Sequence, residues 1–270
     1  MSEISHYSEL WTHRTPKSRL LRWTGWVALV ALFIWCWQLM TANTIWYFVT
    51  DAPRQAADIG SRMFPPSLAY IPELMVPLWD TINIATLGTV GGVVMAVPVA
   101  FLAARNTTPS ATFLRPVALF IIVASRSINA LIWALLLVAI IGPGLLAGIV
   151  AIALRSIGFI GKLLYEAIEE IDHRQVEAVS AIGASGAQIL SFGIVPQITP
   201  AFWSISIFRW DINIRESTIL GLVGAGGIGL KLQASLNTLA WSQVTTILIL
   251  ILGTVIVSEW VSSKVRRAII

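Results

Sequence analysis

The chain has 270 residues, 56% apolar and only 12% charged, with a mean hydropathy of +0.79. Soluble domains carry about twice that charged fraction, so a soluble enzyme, a nucleic-acid-binding module and a disordered chain are excluded, and an integral membrane protein is implied. The formal charge of +4 reflects where basic residues stand relative to apolar segments, and is not a nucleic-acid-binding patch.

Uncharged runs at residues 23–50, 81–104, 127–154 and 232–258 are 28, 24, 28 and 27 residues long. Crossing a bilayer takes roughly 20. The first run follows a basic N-terminus but is too long for a secretory signal and lacks a small-x-small cleavage site, so it is expected to remain as a span. It holds Cys36, the single cysteine, which precludes an internal disulfide. With glycine, proline and charged flanks as punctuation, spans are expected at 23–42, 79–104, 116–141, 145–166, 200–221 and 242–261. The third and fourth form one apolar stretch divided by Gly142-Pro143-Gly144, which suits a tight turn. Segment 43–78, with Pro65, Pro66, Pro72 and the aromatics Trp46, Tyr47, Phe48 and Tyr70, is read as a periplasmic interfacial anchor, with a partner-docking surface as the alternative.

Eleven of the 18 basic residues fall on one side if both termini are cytoplasmic, against three, Arg54, Arg62 and Lys231, on the other. This asymmetry predicts a cytoplasmic tail at 1–22 with Arg14, another at 263–270, and a transmembrane domain at 79–262 between the periplasmic segment and the second tail. The remaining four, Arg126, Arg155, Arg209 and Arg215, lie within spans together with Asp211 and Glu216. Ionisable groups at such depth are functional candidates. At 100° per residue, Arg209, Asn213 and Glu216 share one helical face, and Asp211 and Arg215 share the other as an i, i+4 structural pair. Arg209, Asn213 and Glu216, and Arg126 with Asn129 one turn apart on the third span, are candidates for lining a translocation path or gate. An excess of guanidinium groups favours passage of an oxyanion. Snorkelling or bonding to backbone carbonyls is the alternative for Arg155 and Arg126. His6, His13 and His173 lie outside the expected spans, and the six charges at depth form no metal set or carboxylate dyad, which argues against an intramembrane enzyme and against a metal site.

Between the fourth and fifth spans, residues 177–196 are too polar to cross a membrane. Gly183 suits a left-handed helix end, Ser185 with Gln188 suits a capping box opening a second helix, and Ala178, Ala181, Ala184 and Ala187 leave a smooth surface. This helical elbow resembles the EAA loop of ABC-importer permeases, whose pattern is Glu-Ala-Ala, three residues, Gly, nine residues, Ile-x-Leu-Pro. Glu177, Ala178, Gly183 and Pro196 keep its register, Val179 and Val195 are conservative changes, and Gly193 departs from it. Further on, Phe208 to Gly229, together with Arg126-Ser127-Ile128-Asn129 and the run from Gly142-Pro143-Gly144 to Gly161-Lys162-Leu163, is similar to phosphonate and phosphite permeases within that superfamily, the resemblance covering residues 77–270.

The resemblance implies an all-α integral membrane fold of six helices, the type I (MetI-like) permease architecture. It implies that Glu177, Ala178, Gly183, Ser185 and Pro196 couple to a cytoplasmic ATPase, which supplies ATP and Mg while this chain binds no cofactor. The expected partners are a second copy of the chain, the ATPase dimer, a periplasmic phosphonate- or phosphite-binding protein and the bilayer of the bacterial inner membrane, with no nucleic acid. The expected cargo is phosphonate, phosphite or a related phosphorus oxyanion. A methionine or other small-solute permease is the alternative within the class, and a facilitative channel or scaffold without ATPase the alternative outside it. Gly224, Gly226, Gly227 and Gly229 match a dinucleotide fingerprint only by spacing, since no strand-turn-helix unit surrounds them. They are expected to serve close helix packing, a bending gate or a turn.

Overall fold

The computed structural model describes residues 16–269, so Arg14 and the rest of the expected N-terminal tail up to Thr15 lie outside the described residues. Among the described residues the secondary structure is helical throughout, with no strand. Contacts divide the chain at Asp58 into two units.

The first unit contains α1 (Pro16–Thr41) and the start of α2 (Trp46–Met63). Trp23, Trp26, Phe33, Trp35 and Trp37 on α1 are all more than half exposed. A helix apolar on every side is stable where lipid is its solvent. α2 is amphipathic and carries Pro53.

The second unit starts at Ile59. Its first long helix is α3 (Ile71–Ala103). Pro72 near the first helical position is pre-organised for a helix start, so the helix begins eight residues before the expected span and the surface segment stops at Tyr70. Thr81, Ala85, Gly88, Gly92, Ala96 and Ala100 form its buried stripe. α6 (Leu145–Glu169) buries Gly148, Ala151, Ile152, Ser156, Gly158 and Gly161 in the same way. Small residues one turn apart let two backbones approach closely, which is how helices gain packing energy in lipid. A Cβ on Gly88 would lie 2.7 Å from Ile152 Cγ2, and one on Gly92 2.5 Å from Ser156 Cβ.

The expected third span is not one helix. It is broken into α4 (Leu114–Ser127) and α5 (Ala130–Ile141), bent by 90°. Ile128 is extended and the Asn129 side chain accepts from the Leu131 N–H, capping a new helix start. Arg126 and Asn129 therefore belong to different helices and do not share a face. Five helices are long and apolar enough to cross a membrane, and this bent pair makes a sixth if it counts as one span.

Asp172 caps α7 (His173–Ala181) by accepting from the Arg174 N–H at 3.0 Å. Gly183 takes φ +81°, and the Ser185 N–H donates to Gln188 Oε1 at 2.8 Å, the arm of a capping box. The second arm of the elbow is not a separate short helix. α8 (Gly186–Gln188) runs through a π-helical stretch, Ile189–Ile194, into α9 (Val195–Leu220), so the fifth span and the elbow are one rod. Beyond the glycine loop stand α10 (Ile228–Asn237), which the sequence reading does not anticipate, and α11 (Trp241–Ile269), which continues through the expected C-terminal tail.

Two apolar clusters hold the ends of this bundle. Ala100, Ala104, Leu164, Ile168, Ile194 and Ile198 join α3, α6 and α9 beside the elbow. Ile84, Ala134, Ile152, Leu220 and Ala225 join α3, α5, α6 and α9 beside the glycine loop.

The seam between α4 and α6 makes a prediction. A Cβ on Gly158 would lie 2.6 Å from the Ile122 carbonyl oxygen and 2.7 Å from Arg126 Cγ, whereas Gly25 on α1 has nothing within 4 Å. Gly158→Ala should lower stability by about 1–3 kcal/mol through overpacking, read as a fall in thermal midpoint in detergent. Gly25→Ala should leave it unchanged or slightly raised.

Candidate functional site

α9 carries five of the polar residues singled out above and packs between α3, α6 and α11. Arg209 is 1% exposed. Its Nη2 lies 3.1 Å from Glu216 Oε2, two turns along the same helix, and its Nε donates to Ser156 Oγ on α6 at 3.1 Å. The guanidinium also sits 5.2 Å from the centre of the Phe159 ring, a cation–π contact.

The other oxygen of Glu216 is engaged by a second arginine. Arg155 Nε, on α6, is 3.2 Å from Glu216 Oε1, while its Nη1 donates to the Ile128 carbonyl at 3.3 Å, the oxygen exposed by the break between α4 and α5. The backbone-carbonyl alternative for Arg155 is thus realised, and its pairing with a carboxylate on α9 is one that the sequence reading does not anticipate. Asn213 donates from Nδ2 to Thr89 Oγ1 at 2.8 Å and to Ser156 Oγ at 3.0 Å, and its Oδ1 is buried without a partner. Arg209, Asn213 and Glu216 do share a face, and that face is turned into the helix bundle.

The opposite face holds Asp211, paired with Arg215 one turn on. Ser258 Oγ on α11 donates to Asp211 Oδ1 at 2.8 Å, and Trp210 Nε1 donates to Thr86 Oγ1 on α3 at 3.0 Å. Arg155, Ser156, Thr89 and Ser258 are the network members that helical spacing along α9 alone misses. For Arg155 the signal was its charge at depth; for the hydroxyls there was none.

Gly224, Gly226 and Gly227 adopt positive φ of 87°, 87° and 77°. The Gly144 N–H donates to the Gly224 carbonyl at 3.0 Å, the Ile228 N–H donates to Thr81 Oγ1 at 2.8 Å, and a Cβ on Gly227 would lie 2.6 Å from that same Thr81 oxygen. Gly229 is packed against Thr218 and Gly221. The loop is both a turn and a close-packing joint between α3, α9, α10 and the turn preceding α6.

At the elbow, Glu177, Ala178, Gly183, Ser185 and Pro196 are all exposed. A groove of about 400 Å³ is lined by Val179, Ile182, Gly183, Ala184, Gln188 and Phe192, with Ile182 83% and Phe192 71% exposed. Gln197 braces the elbow at its root, accepting from the Asp172 N–H at 2.9 Å and donating to the Gly193 carbonyl at 2.6 Å. Gly193, where the sequence departs from the loop pattern, is buried with Val176 Cα 3.5 Å from where its Cβ would be. A bulky residue there would have to displace α7.

Over residues 88–268 the sequence matches the family of binding-protein-dependent transport system inner membrane components. The chain belongs to this family. It is 38% identical over 250 residues to the phosphite transport system permease protein PtxC of Stutzerimonas stutzeri, covering 91% of this chain and 89% of that one. It is also 38% identical over 209 residues to the phosphate-import permease protein PhnE of Mycolicibacterium smegmatis, covering 77% of this chain and 39% of that one. A chain of the MetNI methionine ABC transporter in an inward-facing conformation matches the fold with a TM-score of 0.66 at 23% identity, over 76% of this chain and 99% of that one. The all-helical permease fold of ABC importers is therefore the fold of this chain, and the permease is the membrane subunit of a transporter that works with an ATPase and a substrate-binding protein.

The α9–α11 contact of this permease is testable. Ser258→Ala removes one hydrogen bond to a buried carboxylate and should cost about 1–3 kcal/mol, whereas Asp211→Ala removes the partner of both Ser258 and Arg215 and should cost more. Thermal unfolding of the two variants side by side gives the order.

Proposed function

We propose that the chain is the translocating subunit of an ATP-driven importer for a phosphorus oxyanion such as phosphite or a phosphonate. It acts as a homodimer in the bacterial inner membrane, with both termini and the elbow in the cytoplasm. The observation that supports the cargo is the likeness to the phosphite permease PtxC along nearly the full length of both chains. The chemistry agrees with it, because Arg155 and Arg209 converge inside the bundle and guanidinium groups bind oxyanions through paired N–H donors.

Two ATPase subunits offer two docking clefts, and each chain carries one elbow, so a twofold arrangement uses every site. The sequence has no G-x-x-x-x-G-K-[ST] loop, and ATP with its Mg is assigned to the ATPase. The exposed Ile182 and Phe192 form an apolar projection that seats in that subunit. ATP-driven approach of the two ATPases draws the elbows together, and the outward-facing state, in which the periplasmic receptor delivers cargo, becomes the favoured one.

The cargo is tested by reconstituting permease, ATPase and receptor in liposomes and measuring ATP hydrolysis with receptor loaded by phosphite, methylphosphonate, phosphate or methionine. Stimulation by a phosphorus oxyanion is expected, and stimulation by methionine alone would reassign the cargo. Docking is tested separately. Ile182→Asp and Phe192→Asp should reduce co-purification of the ATPase at least tenfold and abolish uptake while the thermal midpoint of the permease stays within a few degrees of wild type. Gly183→Asp, which adds a charge in the groove and a strained left-handed residue of about 1–2 kcal/mol, should behave likewise. Normal uptake by any of the three would argue that the elbow does not couple.

A further inference from the structure

Two arginines on one carboxylate is more cation than a structural lock between α6 and α9 requires. One guanidinium would neutralise Glu216, yet Arg209 Nη2 stands at 3.1 Å from one of its oxygens and Arg155 Nε at 3.2 Å from the other. That is the geometry in which two guanidinium groups clasp two oxygens of one tetrahedral or planar anion. We propose that Arg155 and Arg209 form an oxyanion seat in the permease, and that Glu216 is its tethered counter-ion, displaced when a transported anion arrives. The proposal rests on the cargo reading above and assigns a place in this chain to it.

Burial is unequal across the seat. Arg209 is held from behind by Ser156 and Phe159 and its side chain is 2% exposed, while the side chains of Glu216 and Arg155 are 20% and 28% exposed. The cation on α9 is the most buried member and the carboxylate and Arg155 are the more exposed ones. Glu216 can therefore rotate away without dismantling the contacts that keep Arg209 in place.

A second cationic position lies further along α6. Lys162 lies two turns along α6 from Arg155, a rise of about 10 Å, and carries its own carboxylate, Glu166, at 2.8 Å. Arg126 has no ion-pair partner among the described residues, and with Ser127, Lys162 and Tyr165 it lines a groove of about 380 Å³ between α4 and α6. Arg126 directly precedes the helix break whose Ile128 carbonyl receives Arg155. Both positions thus pair cations with a carboxylate from the same chain.

A tethered carboxylate solves a problem of release. Two unopposed arginines in a low-dielectric bundle would hold an oxyanion far more strongly than water does, and conduction requires binding weak enough to be left. An internal competitor present at high effective concentration lowers the affinity for the mobile anion. Exchange also conserves charge, since a monoanion entering as Glu216 leaves keeps the seat at the same balance.

The test uses full-length permease assembled with its ATPase in nanodiscs of neutral phosphatidylcholine, which removes anionic headgroups as competitors, and measures binding of radiolabelled phosphate displaced by phosphite. Glu216→Gln keeps the side-chain shape and removes the charge. It should bind phosphate at least tenfold more tightly than wild type and slow uptake when reconstituted in liposomes, and Arg155→Gln added to it should return the affinity to the wild-type level or below. Glu216→Asp, which keeps the charge and retracts it, guards against a misfolded amide variant and should give a smaller gain of at least threefold. Correctly assembled variants with no gain in phosphate binding, or a gain that survives loss of Arg155, would overturn the seat. Phosphorus-oxyanion uptake by the wild-type complex with its receptor in sealed phosphatidylcholine liposomes separates the two failures. A wild type that transports none of these anions sinks the cargo reading and this proposal with it, whereas wild-type transport without the Glu216 effect sinks the seat alone.

Discussion

Hydrocarbon solvates no charge, and along α4, α6 and α9 the permease carries Arg126, Arg155, Arg209, Arg215, Asp211 and Glu216 well inside apolar segments. Each such group costs several kcal/mol unless it finds a partner or water. That constraint organises the centre of the fold. Arg209 reaches Glu216 and Ser156, Arg155 reaches Glu216 and the Ile128 carbonyl, and Asp211 reaches Arg215 and Ser258. The ion pairs and hydrogen bonds that satisfy the charges are therefore the same ones that tie α6, α9 and α11 to each other and to the break between α4 and α5.

Close approach makes this network possible. Ser156 can serve both Arg209 and Asn213 because Gly92 stands opposite it on α3, where a side chain would collide with the Ser156 Cβ. Gly158 does the same against α4, where the Ser125 hydroxyl meets the Leu154 carbonyl and accepts from the Gly158 N–H. Side chains of one or no carbon bring backbones near enough that short hydroxyls span the gap. Longer side chains would separate the helices and leave the arginines without partners.

The elbow and the charge network share a single element. Residues 186–223 form one helical rod, with the π-helical stretch Ile189–Ile194 between the exposed arm and the segment that carries Arg209 and Glu216. Pro196 and Pro200 supply no N–H to that rod, so its backbone hydrogen-bond ladder is interrupted just beyond the π-helical stretch. π-helical turns often mark functional positions where a helix can adjust its register. Gln197 ties the root of the rod to Asp172 and thus to the start of α7, joining the two arms of the elbow.

Much of this was legible in the chain itself. Long uncharged runs demand lipid, Gly142-Pro143-Gly144 demands a turn, Gly183 and Ser185 with Gln188 demand an elbow, and spacing along α9 places Arg209 beside Glu216 and Asp211 beside Arg215, because all of these depend on local backbone geometry or on hydropathy summed over neighbours. What only the tertiary structure decided involves residues far apart in sequence. Nothing local pairs Arg155 with Glu216 or Ser258 with Asp211, and nothing in an apolar run announces that it breaks at Ile128, since the break is favoured by the Asn129 cap and by an arginine arriving from α6. The glycine loop shows the same division: its composition permits a turn, and only the packing of Gly227 on Thr81 and of Gly229 on Gly221 makes that turn the joint of the bundle, because close approach is a property of two surfaces and a sequence displays one at a time.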